Sequence, residues 1–372
     1  MSPRETSLES ELDNASSARA SFSETLEIVR RQVDRQLGLW LEPRLAAAAG
    51  VSAEVLAAAQ AIEGLALRGG KRMRAALIAA AFDACSAEPT TDAAGSSWAS
   101  ALPAMVAIEL LQVYLLIHDD WMDDDDVRRG GPAVHIMLRE RLGDVRLGDA
   151  AAILAGDLAS GYAQSALLEC PVSADRLLRA AQAFARIQED VVTGQLAEMS
   201  AVRAAQPPSV ELIHSLKTAS YTVTGPLALG AVLAGADDAR VAEFGRFGRP
   251  LGIAFQLRDD LLGVFGDPTA TGKPIWNDIR QGKRTALVTE LRGSAEAEAL
   301  LARVLGNPDA PSSEIEAVVR LMETSGARAR VEARVQELLD ETRQVLASMN
   351  LRPSLGRRVL QGAISALGER AS

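Results

Sequence analysis

Cysteine, histidine and aromatic residues are scarce in this chain. Among 372 residues there are two cysteines (Cys85, Cys170) and three histidines (His118, His135, His214), and Phe, Trp and Tyr make up 4%. No Cys-x-x-Cys or clustered Cys/His spacing occurs, which excludes a zinc site and a disulfide scaffold. The two thiols read as free and buried in a reducing compartment. A basic excess is also missing. Lys plus Arg is 39 against 49 Asp plus Glu, a net charge of −10, which argues against broad nucleic-acid binding. The first residues, with Arg4, Glu5, Glu9, Glu11 and Asp13, lack the basic start and apolar run of a signal peptide. No stretch of about 18 strongly apolar residues reads as a transmembrane span. A cytoplasmic protein is expected.

What is abundant is Ala and Leu, in a chain that is 48% apolar and 24% charged. Such composition belongs to a globular protein, and long Ala/Leu-rich stretches favour helix. The segment from Leu102 to Ile117 is apolar on nearly every face apart from Glu109 and Gln112, as a helix buried among others is. Thr218 to Ala236 carries no charge up to its end and contains Pro226 and several glycines; it reads as a buried helix with a break. No hairpin signal stands out. Turn-rich stretches separate helical lengths at Ser86–Ala99, Arg128–Pro132, Gln206–Ser209, Gly266–Pro274 and Asn307–Ser313. The expected fold class is all-α, with residues 1–22 as a flexible polar arm and 23–372 as one helical domain.

The strongest chemical signal is His118-Asp119-Asp120-Trp121-Met122-Asp123-Asp124-Asp125-Asp126, six carboxylates directly after the apolar helix. Asp119 and Asp123, four apart, share a helix face. Like charges there repel, so the cluster calls for a cation, and hard carboxylate oxygens suit Mg²⁺, which leaves other positions to phosphate and water. A solvated acidic loop is the alternative. A second pair, Asp259-Asp260, ends another apolar run after Phe255-Gln256. Two such helix ends read as two walls of one cavity. The third element is Gly69-Gly70-Lys71-Arg72-Met73-Arg74; glycines admit close backbone approach, and cations at a helix start suit phosphate. More cations stand at Arg128, Arg129, Lys217, Lys273 and Lys283-Arg284. Carboxylates for Mg²⁺, cations for diphosphate and apolar helices together point to a substrate with a diphosphate head and a hydrocarbon tail.

In order and spacing, Gly-Gly-Lys-Arg, His-Asp-Asp-x-x-Asp with Arg-Arg-Gly, Lys-Thr and Phe-Gln-x-x-Asp-Asp resemble the trans-polyprenyl diphosphate synthases, from about residue 25 to the C-terminal region. Gly148-Asp149, Gly156-Asp157 and Gly194-Gln195 also look like landmarks of that family. The resemblance implies an isoprenoid-synthase bundle of mostly antiparallel helices around a deep central cavity, usually a homodimer. It implies a reaction joining an allylic diphosphate to isopentenyl diphosphate. Asp119 and Asp123 would then bind two Mg²⁺ and Asp259 a third. Arg128, Lys217, Lys273 and Gln256 would hold the allylic diphosphate, Lys71, Arg72 and Arg129 that of isopentenyl diphosphate, and Thr218 would lie beside the reacting carbon. No histidine base is needed, so His118 and His135 read as structural.

Three departures stand out. Gly263 replaces the final aspartate of the second motif, with Asp267 nearby as a substitute through water. Gln112 stands where many relatives have a histidine for isopentenyl diphosphate, and Glu198 replaces an aspartate. Tyr114 and Leu115, five and four residues before Asp119, lie about 6 to 7.5 Å deeper on a helix. By resemblance they imply a short product, twenty carbons favoured over fifteen. Rival readings are a non-catalytic partner subunit, with Gly263 in its favour, and a terpene cyclase, against which Asp259-Asp260 argues.

Overall fold

Side-chain oxygens begin many of the helices. Ser52, Asp144, Ser209, Asp237, Thr285 and Ser294 accept a hydrogen bond from the backbone N–H three residues on, satisfying a donor that has no partner within the helix. A computed structural model of the chain describes residues 3–88, 97–202, 204, 206–266 and 276–368, with side chains from Ser16 onward except Ser97. The elements that build the centre are α1 (Pro3–Ala49), α2 (Ala53–Leu67), α3 (Met73–Cys85) and α4 (Leu102–Met122). After them come α5 (Val134–Leu142), α6 (Val145–Leu168), α7 (Ala174–Ala201), α8 (Val210–His214), α9 (Gly225–Ala234) and α10 (Asp238–Phe265). Shorter helices lead to a long helix at Ala327–Ser348 and a C-terminal one at Leu355–Gly368. Helix predominates as the composition implies, and the two free thiols are buried (Cys170) and half-buried (Cys85).

The all-round apolar segment is α4, at the centre. Ala104 to Leu111, Val113, Tyr114 and Ile117 are buried, and α6 packs along it. Glu109 lies within this apolar run because Arg72 meets it: Arg72 Nη1 donates to Glu109 Oε2 at 2.8 Å. Trp98–Met122 is long and apolar enough to cross a membrane, contrary to the sequence expectation, but 67% of that window is buried inside the fold. Helix α3 packs on α9, and α10 on the Ala327–Ser348 helix.

Between α8 and α9, Ser215–Thr224 is a π-helix, the physical form of the expected break. Its wider coil is tied by hydroxyls: Ser220 Oγ donates to the Leu216 carbonyl, and Thr224 Oγ1 to that of Ala219. Two glycines let neighbours close on it. A Cβ at Gly194 of α7 would stand 2.3 Å from the Lys217 nitrogen, and one at Gly252 of α10 would stand 2.4 Å from the Ala219 Cβ. The π-helix thus holds Lys217 and Thr218 between α7 and α10.

One expectation needs correction and one segment takes a definite form. Residues 3–22, expected as an arm, are helical in the structure. They open α1, where Ala18 and Phe22 are buried and the C-terminal helix crosses closely at Gly362. A hairpin also exists: β1 (Val127–Arg128) pairs with β2 (Gly131–Pro132). Its two-residue loop, Arg129-Gly130, has positive φ at both positions, the requirement of a tight hairpin turn. Strands of two residues are too short to leave a periodic signal.

Candidate active site

Rotation along α4 decides which of its side chains can act. Gln112, Leu116, Asp119 and Asp123, at spacings of four, three and four, line one cavity of about 1110 Å³, as one face of a helix does. The opposite wall comes from Lys217 and Thr218 on the π-helix and from Gln256, Asp259 and Asp260 on α10. Lys71 and Arg128 also border the cavity. Residues spread over nearly 190 positions therefore share one space.

Lysines sit on the α4 carboxylates. Lys217 Nζ lies 2.5 Å from Glu198 Oε2 and 3.5 Å from Asp119 Oδ1. Gln195 Nε2 donates to the same Asp119 oxygen at 3.1 Å. Lys283 Nζ donates to Asp123 Oδ2 at 2.7 Å. Burial pushes the Asp119 carboxyl up, but Lys217, Lys283 and Arg128 outweigh it and hold it below the ordinary carboxylate range. Burial works against the charge on Lys217 and Lys283 too, yet the surrounding carboxylates raise both above the ordinary lysine value. The segment carrying Lys283 also clasps the end of α4 through Asn277 on Asp125 and Gln281 on the Asp123 carbonyl.

In each aspartate doublet the second member is buried. Asp120 accepts from Arg128 Nε at 2.6 Å, with none of its surface exposed; burial lifts its carboxyl to about 6 against the pull of Arg128. Asp260 is 5% exposed. Burial raises its carboxyl well above the ordinary value. Asp259, by contrast, is exposed at the cavity.

Several expected residues stand elsewhere. Arg72 takes a left-handed conformation at the start of α3 and is 3% exposed. Its guanidinium is taken up by Asp34, Glu109 and the Ala66 carbonyl, so it holds the fold together and does not face the cavity. Arg74 reaches the cavity wall instead, donating to Thr222 Oγ1 at 2.9 Å with its guanidinium 4.2 Å from the Tyr221 ring centre. Arg129 turns away from Arg128, onto the Leu65 and Gly69 carbonyls. Tyr114 and Leu115 are not among the lining residues; Tyr114 packs edge-on against His118, ring centres 4.9 Å apart. His118 Nε2 lies 2.9 Å from the Ile153 carbonyl. Lys273 and Asp267 lie outside the described residues. At Gly263, a Cβ would meet Asp278 Oδ2 at 3.4 Å, and Asp278 lines the cavity. A carboxylate thus stands beside the position where the motif lacks one. Lys283, Asp278 and His214 line the cavity and Arg74 contacts its wall; sequence reasoning left these four out of the site. The sequence did flag cations at Arg74 and Lys283, but not their direction.

The donor set suits Mg²⁺. Asp119, Asp123 and Asp259 offer only hard carboxylate oxygens. Among the described residues no three His, Cys, Asp or Glu side chains gather tightly enough to cage a metal by themselves. Mg²⁺ characteristically takes one or two carboxylates and completes its shell with phosphate and water.

The family model for polyprenyl synthetase matches residues 56–322. The chain belongs to that family. It is 34% identical over 276 residues to a (2E,6E)-farnesyl diphosphate synthase of Mycobacterium tuberculosis, covering 71% of this chain and 70% of that one. It is also 34% identical over 253 residues to a geranylgeranyl diphosphate synthase of Saccharolobus solfataricus, covering 67% and 71%. Among solved structures, a geranylgeranyl pyrophosphate synthase of Corynebacterium glutamicum, complexed with isoprenyl diphosphate and magnesium, superposes with a TM-score of 0.82 at 32% identity. That match covers 94% of this chain and 99% of that one. The polyprenyl synthetase described here is thus a trans-prenyltransferase with the all-α isoprenoid-synthase fold, of the short-chain kind.

Proposed function

We propose that this synthase condenses isopentenyl diphosphate with an allylic diphosphate to give a short all-trans prenyl diphosphate, twenty carbons favoured over fifteen. The observation that carries this reading is the single cavity where the acidic ends of α4 and α10 face each other, with Lys217 between them. Asp119 and Asp123 would hold two Mg²⁺ and Asp259 a third; bound there, the ions act as Lewis acids toward the leaving diphosphate.

The chain's own residues do the rest. Lys217, Arg128 and Lys273 bind the allylic diphosphate and take up charge as its carbon–oxygen bond breaks, the electron pair leaving with the diphosphate. Lys71, with Arg74 and Gln112, holds the second diphosphate; Arg129, which the resemblance places with them, would first have to leave the Leu65 and Gly69 carbonyls. The double bond of isopentenyl diphosphate attacks the allylic cation, forming the new carbon–carbon bond. A proton then passes to the departed diphosphate. Thr218 and Gln256 present oxygens to the cation. Leu116, Ile213, Tyr221, Phe255 and Leu262 wall the cavity and keep out water that would quench the cation to an alcohol.

The preference for twenty carbons comes from the resemblance at Tyr114 and Leu115; neither lines the cavity, so they would limit length only by backing the lining stripe of α4. A homodimer is proposed through α6 and α7, where Leu147, Leu154, Leu168, Leu178, Leu196 and Met199 are exposed; sedimentation velocity would report it. A cytoplasmic location is proposed with it. The deciding experiment gives the purified protein Mg²⁺, labelled isopentenyl diphosphate and five-, ten- or fifteen-carbon allylic starters, with EDTA as control. An EDTA-sensitive twenty-carbon product is expected. No product from any starter, with folded protein, would favour the partner-subunit reading and point to Gly263.

A further inference from the structure

Four polar side chains form a ladder that the proposed chemistry leaves partly unused. His214 and Thr218 stand four residues apart at the α8/π-helix junction, and Gln256 and Asp260 four apart on α10. Thr218 Oγ1 donates to Gln256 Oε1 at 2.8 Å. Gln256 Nε2 donates to Asp260 Oδ1 at 2.9 Å. Beyond them, His214 Nε2 lies 3.4 Å from Asp260 Oδ2. All four border the catalytic cavity. His214, Thr218 and Asp260 are each buried to within 6% of full exclusion. Asp260 Oδ2 and His214 Nδ1 have no hydrogen-bond partner. A buried carboxyl with an unsatisfied oxygen is costly, and packing alone is better served by an apolar residue.

We infer that Asp260 is a positioning residue, not a metal ligand: backed by His214, it fixes the amide of Gln256 so that its oxygen, not its NH₂, lies beside Thr218. The two ends of a primary amide have opposite polarity. With Asp260 accepting from Nε2, Oε1 must point back to the Thr218 hydroxyl, and that hydroxyl, spending its proton on Oε1, leaves its lone pairs free. The cavity wall at this level is then lined by oxygens, the polarity that stabilises a carbocation. A turned amide would place its positive NH₂ end there. Asp259, one residue earlier and about 100° around the helix, faces outward into the cavity. The doublet thus divides two tasks between neighbouring carboxyl groups.

This inference rests on the reading that Thr218 and Gln256 border the reacting carbon. The starter assay on the unaltered protein tests that reading separately, since only an active protein enters the comparison below. Asp260→Ala is expected to lower kcat about ten- to a hundredfold, with KM for both diphosphates within about twofold. Asp260→Asn, whose amide oxygen still accepts from Gln256 Nε2, recovers most of that loss. Gln256→Ala and the double variant Asp260→Ala/Gln256→Ala have the same kcat, because the two residues act in series. The rise in melting temperature on adding Mg²⁺ with inorganic diphosphate stays as in the unaltered protein for Asp260→Asn and shrinks for Asp259→Asn. If Asp260→Asn shrinks that rise as Asp259→Asn does, Asp260 is a ligand and the inference fails. It fails equally if Asp260→Ala keeps full kcat, or if the losses in the double variant multiply. Should Asp260→Ala not fold, the Asp260→Asn measurements decide alone.

Discussion

The acidic ends of α4 and α10 look alike in sequence and are built differently. Each closes an apolar helix with two adjacent aspartates, the first toward the cavity and the second buried. At α4 the buried member, Asp120, is tied to a cation, Arg128, which also bonds Asp125 at 3.2 Å. At α10 the buried member, Asp260, meets the Gln256 amide and a His214 ring whose burial lowers its pKa to about 4, while the Asp278 carboxylate opposes its charge. The α4 end is thus a charged anchor, and the α10 end a polar ladder. Adjacent residues on a helix point about 100° apart, so identical letters in a doublet cannot do identical work.

The largest effect should come from the cavity-facing members. Asp119→Ala is expected to cut turnover at least about a thousandfold while the far-UV spectrum and the melting transition persist. Near-normal turnover would break the pairing of the two acidic ends. Next in size is a contrast within the basic run. Arg72→Ala leaves Glu109 buried without its partner and should cost about 3–5 kcal/mol of stability in urea unfolding. Lys71→Ala should instead raise KM for isopentenyl diphosphate with little change in stability. Reversed results would return Arg72 to the substrate.

A smaller effect concerns pH. The Asp120 carboxyl titrates at about 6 in the fold against an ordinary 3.8. The folded state therefore binds more protons than the unfolded state between these values, and stability falls as pH rises from about 4 to 6. Asp120→Asn removes a slope worth up to roughly 3 kcal/mol, measurable by urea unfolding across that range in EDTA. The smallest expected effect is on product length. Tyr114 lies behind the lining stripe, so Tyr114→Ala can act only by loosening that wall and should lengthen the product by at most one five-carbon unit, read by chromatography; an unaltered product would free Tyr114 from any part in it.

Much of this was legible from residues alone. The apolar run of α4, the uncharged stretch that became the π-helix and α9, and the two acidic helix ends all follow from composition and spacing. What stayed hidden depends on direction. Arg72 and Arg74 are equivalent cations on paper; the left-handed turn at Arg72 sends the first into the core and the second toward Thr222. Gln112, Leu116, Asp119 and Asp123 line the cavity while Tyr114 does not, because helix phase excludes it. Lys283 and Asp278 reach the site across the chain, through a fold-back that no local pattern encodes. The Arg129-Gly130 turn is a two-residue event, too short for periodicity.

The division of labour within the doublets can be measured directly. Mn²⁺, standing in for Mg²⁺, would be titrated by electron paramagnetic resonance in the presence of an unreactive allylic thiodiphosphate, with Asp119→Asn, Asp120→Asn, Asp259→Asn and Asp260→Asn side by side. The expected result is loss of bound Mn²⁺ in the Asp119 and Asp259 variants and full occupancy in the Asp120 and Asp260 variants. Equal loss in all four, or loss confined to the buried pair, would contradict it.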